Sequence, residues 1–462
     1  MKRVAIIGGG VSGLAAAFAL EERRRAGESV AYVVYEAGPR FGGVLVTDQV
    51  DGCLVEAGPD SFLTEKTRAA DLCRRLGIED QLIGSNDAAR KTYILVKGKL
   101  APLPDGLMFM VPTRLAPALL SPLFSTATKF RMVREWRFSP RQSYGDESVA
   151  ALVERHYGPE MVDRVADPLL SGVYGGEASE LSVRAVLPRF AEMEAKHGSL
   201  SRGMIAAGKK AKPSESGPPP IFTSLKNGMQ QLPEAILPQL RADALQANSP
   251  VQAVQQQDRG WVVSAGYKSD RFDAVIVATP AAAAALLLEI SSARLAAELR
   301  MIPYSSSVTI ALGFGKDVRD RLPPGFGFLV PRNEGKRMLA ATFVHNKFPH
   351  RAPEDRALLR CFLGGSRDQQ VLELPDQEIL GIVGEELRQI LGLTAEPLFT
   401  RLYRWKGAMA QYTVGHLERI ERIERLRKQL PGLALAGNGY RGVGVPDCVR
   451  SGEESAADVV AA

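Results

Sequence analysis

The sequence predicts an α/β fold with a parallel sheet at its centre, and three observations lead to this prediction. Gly8, Gly10 and Gly13 follow an apolar run and open a helical pattern. A second strand-like run ends at Glu36. Residues 272–280 form a third, largely apolar run, as expected for a parallel strand that is buried on both faces.

The glycine triplet lies between a predicted strand and a predicted helix. In that context the first glycine permits a tight turn, the second lets a phosphate approach the backbone, and the third lets the helix pack close to the strand. The helix N-terminus then directs backbone N–H groups and a positive dipole end at a pyrophosphate. Glu36 lies about 20 residues further on, where a carboxylate accepts hydrogen bonds from a ribose hydroxyl. A surface glutamate at a strand end is the alternative. We therefore predict a dinucleotide site that contains Gly8, Gly9, Gly10, Val11, Ser12, Gly13, Glu36 and Ala37.

Arg40, Gly42 and Gly43 follow the predicted ribose carboxylate. An arginine can neutralise a phosphate, and a glycine pair lets the chain pass close to a large flat cofactor. A domain that binds only NAD does not need this second close approach, and an ordinary glycine-rich loop is less expected beside Glu36. The spacing resembles that of the flavoproteins that include amine oxidases, phytoene desaturases and protoporphyrinogen oxidases. This resemblance implies FAD.

The end of the chain is predicted to return to the cofactor. A predicted strand at 433–436 leads into a glycine-rich stretch that starts at Gly437, and a predicted helix begins near Val445. The N-terminus of that helix would point its positive end at the flavin pyrimidine oxygen and stabilise the reduced ring. A terminal helix that only packs against the domain is the alternative interpretation, and both can hold.

The order of these segments predicts three domains. Residues 1–91, 208–300 and 431–462 form a discontinuous, Rossmann-like FAD-binding domain; 92–207 form a mainly helical insertion that faces substrate or membrane; and 301–430 form a mixed α+β substrate domain. Further predicted elements are helices at 149–156, 160–165, 225–240 and 377–391, strands at 251–254, 261–264, 308–313, 327–330, 338–344 and 357–364, and a flexible polar loop at 208–220.

Composition excludes several classes of function. The formal net charge of +6 suits an anionic substrate or an acidic membrane surface. No run of Lys and Arg alternates with aromatic residues, so no nucleic acid partner is predicted. The four cysteines are scattered without a CxxC pair, which predicts free thiols in a reducing compartment and no zinc site. No metal is predicted.

The sequence is not that of a membrane-spanning protein. No apolar run reaches 18 residues, and the first predicted strand starts too early to leave room for a signal peptide. We therefore expect a cytoplasmic protein, with peripheral contact at the membrane surface. Residues 107–124 are rich in Leu, Met, Phe and Pro and predict an interfacial or channel-lining segment, although a buried helix pair explains them equally well.

Motifs along the whole chain make the resemblance more specific. The matching segments are 8–13, 36–43, 58–63, 167–176, Arg404-Trp405, Gln411-Tyr412, Gly415-His416 and 442–448. Together they resemble the FAD-dependent bacterial protoporphyrinogen/coproporphyrinogen oxidases, in the flavin amine oxidase superfamily, over essentially the full length. The resemblance implies FAD contacts at Gly58, Pro59, Asp60, Ser61, Val254, Trp405, Gly437, Val445, Pro446 and Asp447. Val254 could equally be a core valine.

The resemblance implies a reaction of heme biosynthesis, the oxidation of a porphyrinogen to a porphyrin. Six electrons leave the macrocycle in three two-electron steps, and O2 is reduced to hydrogen peroxide. Such a substrate is flat and apolar at its centre and carries carboxylates at its rim. Its site needs an apolar slot and basic residues, with no dedicated catalytic side chain.

The slot candidates implied by the resemblance are Gly172, Tyr174, Gly175, Leu329 and Phe348. For the carboxylates Lys66 is favoured, with Arg90 and Lys91 as alternatives. Each of these side chains could also be an ordinary core or surface residue.

The coproporphyrinogen branch of the family is favoured over the protoporphyrinogen branch. Enzymes of the latter type carry an arginine immediately before the aromatic residue that corresponds to Tyr93, whereas this chain has Thr92, although Arg90 could supply the charge. The alternatives are protoporphyrinogen IX oxidation, another flavin amine oxidase or desaturase, and a non-catalytic FAD protein. Handover of porphyrin to a chelatase is a further prediction. An NAD-linked dehydrogenase is disfavoured because no second glycine fingerprint follows a strand. The oligomeric state is left open.

Overall fold

The computed structural model describes residues 1–142, 145–210, 219–258 and 260–461. Most of the polar loop predicted at 208–220 lies outside these ranges.

A five-stranded parallel sheet, called here the nucleotide sheet, lies at the centre of the nucleotide-binding part. Its strands run in the order Leu245–Gln246, Val30–Tyr35, Lys2–Ile7, Ala274–Val277 and Leu433–Leu435. Because all five are parallel, their carboxyl ends meet at one edge, where ligands bind in sheets of this kind. The predicted α/β class is confirmed.

Each face of the nucleotide sheet is covered by its own apolar cluster. Helices Val11–Arg25 and Val445–Ala461 pack on one face, with Ile6 and Ile276 beneath them. Helices Ala281–Leu288 and Ala293–Arg300 cover the other face, over Ala5. Burial on both faces explains why the central strands are continuously apolar in sequence.

A three-stranded antiparallel sheet lies beside the nucleotide sheet and comprises Val251–Gln257, Gly260–Ala265 and Lys268–Phe272. The strands predicted at 251–254 and 261–264 are confirmed. The run at 272–280 divides differently from the prediction, since Phe272 ends an antiparallel strand and only Ala274–Val277 is parallel.

The second large sheet has seven strands. Their order is Phe399–Ala410, Tyr304–Gly315, Arg356–Gly365, Met338–Phe343, Gly327–Leu329, Thr92–Val96 and Lys99–Pro102. Helix Asp376–Leu391 contributes Ile379, Val383 and Leu387 to the core of this sheet. The predicted strands and the helix at 377–391 are confirmed, each within a few residues at its ends.

Two strands of the seven-stranded sheet come from the segment predicted as mainly helical. Thr92–Val96 pairs in parallel with Gly327–Leu329, and Lys99–Pro102 pairs with Thr92–Val96. The segment predicted as mainly helical therefore begins with two strands, and its helices follow them. The three-domain division itself stays a prediction.

The rest of the 92–207 segment forms what is called here the helical lobe. Its helices are Leu115–Leu120, Thr126–Glu135, Val149–Tyr157, Pro159–Met161, Asp167–Tyr174, Val183–Val186, Pro188–His197 and Leu200–Lys210, with a π-helical turn at Val162–Ala166. His156 is buried between two carboxylates, 3.1 Å from Glu135 and 3.1 Å from Glu194. This ion network ties three helices of the lobe together.

Short elements complete the chain. The strands are Thr47–Val50, Cys53–Glu56, Phe62–Leu63, Leu82–Gly84, Leu107–Met108, Val111–Pro112 and Phe222–Leu225; the helices are Arg68–Arg75, Gln231–Ile236, Lys316–Arg319, Val344–Lys347 and His416–Arg427; and 3₁₀ turns lie at Glu79–Gln81, Asp87–Ala89, Leu237–Gln239, Ala242–Ala244, Arg332–Glu334, Pro349–Arg351 and Gln369–Glu373. The helix predicted at 225–240 is shorter than expected, because the chain forms a strand up to Leu225 and an α-helix only over Gln231–Ile236.

Candidate active site at the carboxyl edge of the nucleotide sheet

The predicted phosphate turn has the geometry that a pyrophosphate requires. Gly8 has a φ of +106°, and a Cβ on Gly13 would lie 1.9 Å from the Gly8 carbonyl oxygen, so the helix can approach the strand only with glycine there. A Cβ on Gly10 would meet no heavy atom of the described residues within 4 Å. The helix Val11–Arg25 has no side-chain cap at Gly10. Its first N–H groups are therefore left for an anionic ligand.

Glu36 lies beside this turn, at the end of its strand. Its carboxylate is half-buried and accepts hydrogen bonds from the N–H groups of Gly9 and Gly38, each at 2.8 Å. The neighbouring Ala37 is exposed. The carboxylate predicted to bind the ribose and the turn predicted to bind the pyrophosphate are thus adjacent, and together these residues fit a dinucleotide.

The second glycine loop closes against the first. A Cβ on Gly43 would lie 3.1 Å from the Gly10 Cα, and the Gly42 N–H donates to the Gly9 carbonyl at 2.8 Å. Arg40 donates to the carbonyls of its own loop, at Phe41, Gly43 and Leu45. Arg40 therefore shapes this loop, and the predicted phosphate contact stays a prediction.

The predicted flavin residues Gly58, Pro59, Asp60 and Ser61 lie behind the Gly43 loop. A Cβ on Gly58 would lie 1.9 Å from the Val44 carbonyl oxygen. The indole N–H of Trp405 donates to the Ala57 carbonyl at 2.9 Å, and Arg360 donates to the Gly58 carbonyl. The structure therefore brings Trp405 to the 58–61 loop, from a strand far away in sequence.

A cluster of five acidic and basic side chains lies at the 58–61 loop, and all of them except Asp60 are buried. Asp60 accepts from Lys347 at 2.9 Å, and Glu56 accepts from the fully buried Arg351 at 2.5 Å. Arg360 is the fifth member, 4.0 Å from Asp60. Burial raises the pKa of Asp60, but the charges of Lys347 and Arg360 outweigh burial and hold that pKa below its ordinary value. The Asp60 carboxylate thus stays ionised.

The start of the C-terminal helix forms the far side of the site. Gly437 donates its N–H to Ser451 at 3.1 Å, and Val445, Pro446 and Asp447 form the first turn of Val445–Ala461. Asp447 accepts from Lys66 at 2.6 Å. Burial, followed by the charge of Asp447, raises the pKa of Tyr174 to about 12. Lys66 and Asp447 therefore meet from distant segments, and the charge of Asp447 reaches the Tyr174 hydroxyl.

Four of the predicted slot residues share one wall. A Cβ on Gly172 would lie 3.3 Å from the Leu329 side chain, and Gly175 (φ +61°) caps the helix that holds Gly172 and Tyr174. Phe348 is different, because it is fully buried and contacts Lys347 and Arg351 through its ring. A ring in the core cannot line a slot, so the structure removes Phe348 from the candidates.

Arg90, Lys91 and Val254 were also predicted at the site, but their contacts are with other parts of the protein. Arg90 and Lys91 are exposed where the strand Thr92–Val96 begins, and the Lys91 ammonium lies 5.8 Å from the Tyr93 ring centroid. Val254 is fully buried and its carbonyl accepts from Ser291 at 3.0 Å. Adenine recognition by Val254 and carboxylate recognition by Arg90 or Lys91 stay predictions.

Sequence reasoning missed the residues that support the site from outside. Lys347, Arg351 and Arg360 are isolated basic residues in the sequence, and no motif connects them to Asp60. Gln411 and Tyr412 were part of a matching motif, but no role followed from their sequence. Their contacts are described below.

Among the described residues, no group of three or more His, Cys, Asp and Glu side chains is arranged to hold a metal ion. Within the same ranges, no helix is both long enough and apolar enough to span a bilayer.

Comparison with known proteins agrees with this geometry. Residues 11–460 match the family of flavin containing amine oxidoreductases. The chain belongs to this family. Membership confirms the predicted fold and an oxidoreductase with FAD as cofactor.

Individual relatives are similar over the full length. A coproporphyrinogen III oxidase from Bacillus subtilis is 34% identical over 99% of this chain and 98% of its own length. The mitochondrial protoporphyrinogen oxidase of Nicotiana tabacum is 29% identical over 99% of this chain and 94% of its own length. The crystal structure of a protein from Exiguobacterium sp. 255-15, with a proposed protoporphyrinogen oxidase function, has a TM-score of 0.89 at 30% identity and covers 99% of this chain and 98% of its own.

Proposed function

We propose that this protein oxidises coproporphyrinogen III to coproporphyrin III with bound FAD and O2, forming hydrogen peroxide, as a step in heme biosynthesis. The observation that carries the proposal is full-length similarity to a coproporphyrinogen III oxidase, together with the matching motifs at 167–176 and 442–448 that lie on either side of the site. The chemistry that FAD supplies when bound is the removal of two electrons at a time, with O2 as the final acceptor.

The chain's own residues would bind and orient the cofactor and the substrate. The phosphate turn and Glu36 would hold the dinucleotide, and the wall formed by Gly172, Tyr174, Gly175 and Leu329 would hold the flat macrocycle in place. Lys66 donates one hydrogen bond to Asp447. Its ammonium is exposed and has three N–H donors, so it can also donate to a substrate carboxylate. Positioning of this kind accounts for catalysis without a dedicated acid or base.

Oxidation of protoporphyrinogen IX is the second candidate, favoured by the Nicotiana tabacum relative and by the Exiguobacterium structure. The two substrates differ in the number of carboxylates, four in coproporphyrinogen III and two in protoporphyrinogen IX. An aerobic fluorescence assay with both porphyrinogens compares kcat/KM directly. A higher kcat/KM for coproporphyrinogen III is the expected result, and a higher value for protoporphyrinogen IX would reverse the assignment.

The helical lobe carries a surface suited to peripheral contact with an anionic membrane. Met108, Phe109, Leu120, Phe130 and Val133 are large, exposed and apolar. Residues 107–142 include six basic residues and one acidic residue, Glu135, which is fully buried. Exposed apolar side chains among basic ones match the interface of an anionic bilayer.

Sedimentation with vesicles of phosphatidylglycerol and phosphatidylcholine tests this contact. Phe130→Asp should lower the bound fraction several-fold at low salt, because it adds an acidic group to the apolar surface. Leu286→Asp is the matched control, since Leu286 is equally exposed but lies over the nucleotide sheet. Equal binding by both variants would exclude the helical lobe as the contact surface. Cytoplasmic location and handover of product to a chelatase stay predictions.

A further inference from the structure

Residues 410–416 connect the strand Phe399–Ala410 to the helix His416–Arg427 and cross between the helical lobe and the nucleotide sheet. The Ser182 N–H donates to the Tyr412 carbonyl at 2.8 Å, and the Val414 N–H donates to the Glu180 carbonyl at 3.0 Å. The Gly415 N–H donates to Asp146 at 2.9 Å. The lobe therefore fixes the backbone of this crossing segment.

Tyr412 holds the glycine-rich loop 437–444, called here the cofactor loop. Its hydroxyl donates to the Asn438 carbonyl at 2.7 Å and accepts from the Gly442 N–H at 2.7 Å. Its ring stacks on His416, with centroids 3.9 Å apart and planes 12° apart. His416 in turn donates from Nε2 to the Tyr440 carbonyl at 2.9 Å. The stacked pair thus fixes three backbone groups of one loop.

The charge state of this pair does not change near neutral pH. Burial raises the pKa of Tyr412 far above its ordinary value, and burial lowers the pKa of His416 to about 4. Both side chains are therefore neutral at pH 7, and the hydrogen bonds they make to the loop are present across the physiological range.

The cofactor loop needs such support because of its composition. It contains Gly437, Gly439, Gly442 and Gly444, and two of these, Gly437 and Gly442, have positive φ angles. Glycine loses more conformational entropy on ordering than any other residue. The loop leads directly into the first turn of Val445–Ala461, so its position sets the position of that helix end.

Gln411, the residue before Tyr412, holds the opposite side of the site. Its amide donates to the Tyr174 carbonyl at 2.7 Å and to the Ser305 hydroxyl at 2.9 Å. A Cβ on Gly176 would lie 2.1 Å from the Gln411 amide oxygen, so the chain at 174–177 packs directly on this side chain. This segment, called here the substrate-side turn, follows the helix Asp167–Tyr174.

We propose that Gln411 and Tyr412 are positioning residues that hold the substrate-side turn and the cofactor loop at a fixed separation. These two adjacent residues form hydrogen bonds to both parts of the site, the substrate-side turn and the cofactor loop, which come from distant parts of the chain. Tyr412 acts on FAD through the cofactor loop. Gln411 acts on the substrate through the turn, and only this second role rests on the proposed function.

The test uses the FAD-loaded, full-length protein with Tyr412→Phe and Gln411→Met. Tyr93→Phe is the matched control, because the Tyr93 hydroxyl is likewise bonded to a backbone carbonyl, of Pro324, at 2.8 Å, but in the seven-stranded sheet. Three quantities are measured: FAD release on dilution, followed by the fluorescence of free flavin; amide hydrogen exchange of peptides that cover 174–177 and 437–444; and kcat and KM with coproporphyrinogen III.

Tyr412→Phe should release FAD about tenfold faster and speed exchange in the cofactor loop, because a buried hydroxyl bonded to two backbone groups is lost. Gln411→Met should speed exchange in the substrate-side turn and raise KM about tenfold, with FAD release within twofold of the wild type. Tyr93→Phe should change none of these. A merely structural role would lower thermal stability in all three variants without this separation of FAD release from KM.

Unchanged FAD release and unchanged loop exchange in Tyr412→Phe would overturn the proposal. So would unchanged exchange at 174–177 in Gln411→Met. If both exchange results appear but coproporphyrinogen III is not a substrate, the proposed function fails and the positioning roles stand. If a variant does not fold, the wild-type protein decides: addition of coproporphyrin III should slow exchange in both segments together, and protection of only one of them contradicts the proposal.

Discussion

Replacement of Gly10 by alanine separates cofactor binding from folding. Gly10 has φ −70° and ψ −179°, which any L-residue adopts, and its Cβ would meet none of the described residues within 4 Å. Folding stability of the flavin-free protein should therefore be unchanged or higher by about 0.4–1 kcal/mol, because alanine restricts the unfolded chain. The new methyl group instead occupies the space in which the turn would receive a phosphate.

The expected loss of FAD affinity follows from the bonds displaced. Hydrogen bonds to a charged group contribute about 1.5–3 kcal/mol each, so loss of about two N–H contacts weakens binding by about 3 kcal/mol or more. That corresponds to a Kd raised at least about a hundredfold. The assay is the flavin-to-protein ratio, from the absorbance at about 450 nm, with thermal melting of the flavin-free protein alongside.

Gly13→Ala is the matched comparison within the same turn. Its Cβ would lie 1.9 Å from the backbone oxygen of Gly8, so the helix or the strand must shift. The flavin-free protein should lose about 1–3 kcal/mol of stability by overpacking. Full FAD binding by Gly10→Ala, or wild-type stability of Gly13→Ala, would refute this account of the turn.

Two further predictions concern charged residues. Lys66→Ala should raise KM for coproporphyrinogen III about tenfold with FAD content unchanged. Lys66→Arg keeps a cation beside Asp447, so its KM should stay closer to that of the wild type. A KM for Lys66→Ala equal to that of the wild type would remove Lys66 from the site. Burial lowers the pKa of His156, but the carboxylates of Glu135 and Glu194 outweigh burial and raise it above 6.5. Because the folded pKa is the higher one, this stabilisation is complete below about pH 6.5 and is lost as the pH rises through the folded value. The difference in Tm between the wild type and His156→Gln should therefore shrink from pH 6 towards pH 9, and a difference that does not depend on pH would contradict the charged pairing.

The nucleotide-binding half could be predicted because its signals are local. Gly8 and Glu36 directly follow strands, and Gly13 lies in the first turn of the helix that comes next. Strands buried on both faces leave continuous apolar runs in the sequence. The parallel sheet then brings Glu36 and Gly437 to one edge without any further information. Local sequence patterns were therefore sufficient to predict the phosphate turn and the carboxylate that would bind the ribose.

The seven-stranded sheet and the charges around the site depend on distant pairings. Thr92–Val96 joins Gly327–Leu329, and neither strand indicates the other in sequence. Phe399–Ala410 is a half-exposed edge strand with no clear alternation, and it was not predicted. Lys347 reads as a surface lysine until the fold places Asp60 beside it. Phe348, which follows Lys347 directly, was predicted to line the slot, but it is fully buried in the core.

We propose that this chain positions FAD so that oxygen oxidises a porphyrinogen. Oxygen consumption measured together with coproporphyrin III formation tests it directly, with a flavin-free sample to correct for spontaneous oxidation. Because two electrons reduce each O2 to hydrogen peroxide, about three O2 should be consumed for each coproporphyrin III formed from coproporphyrinogen III. A fully FAD-loaded protein that oxidises neither coproporphyrinogen III nor protoporphyrinogen IX faster than the flavin-free sample would contradict the account.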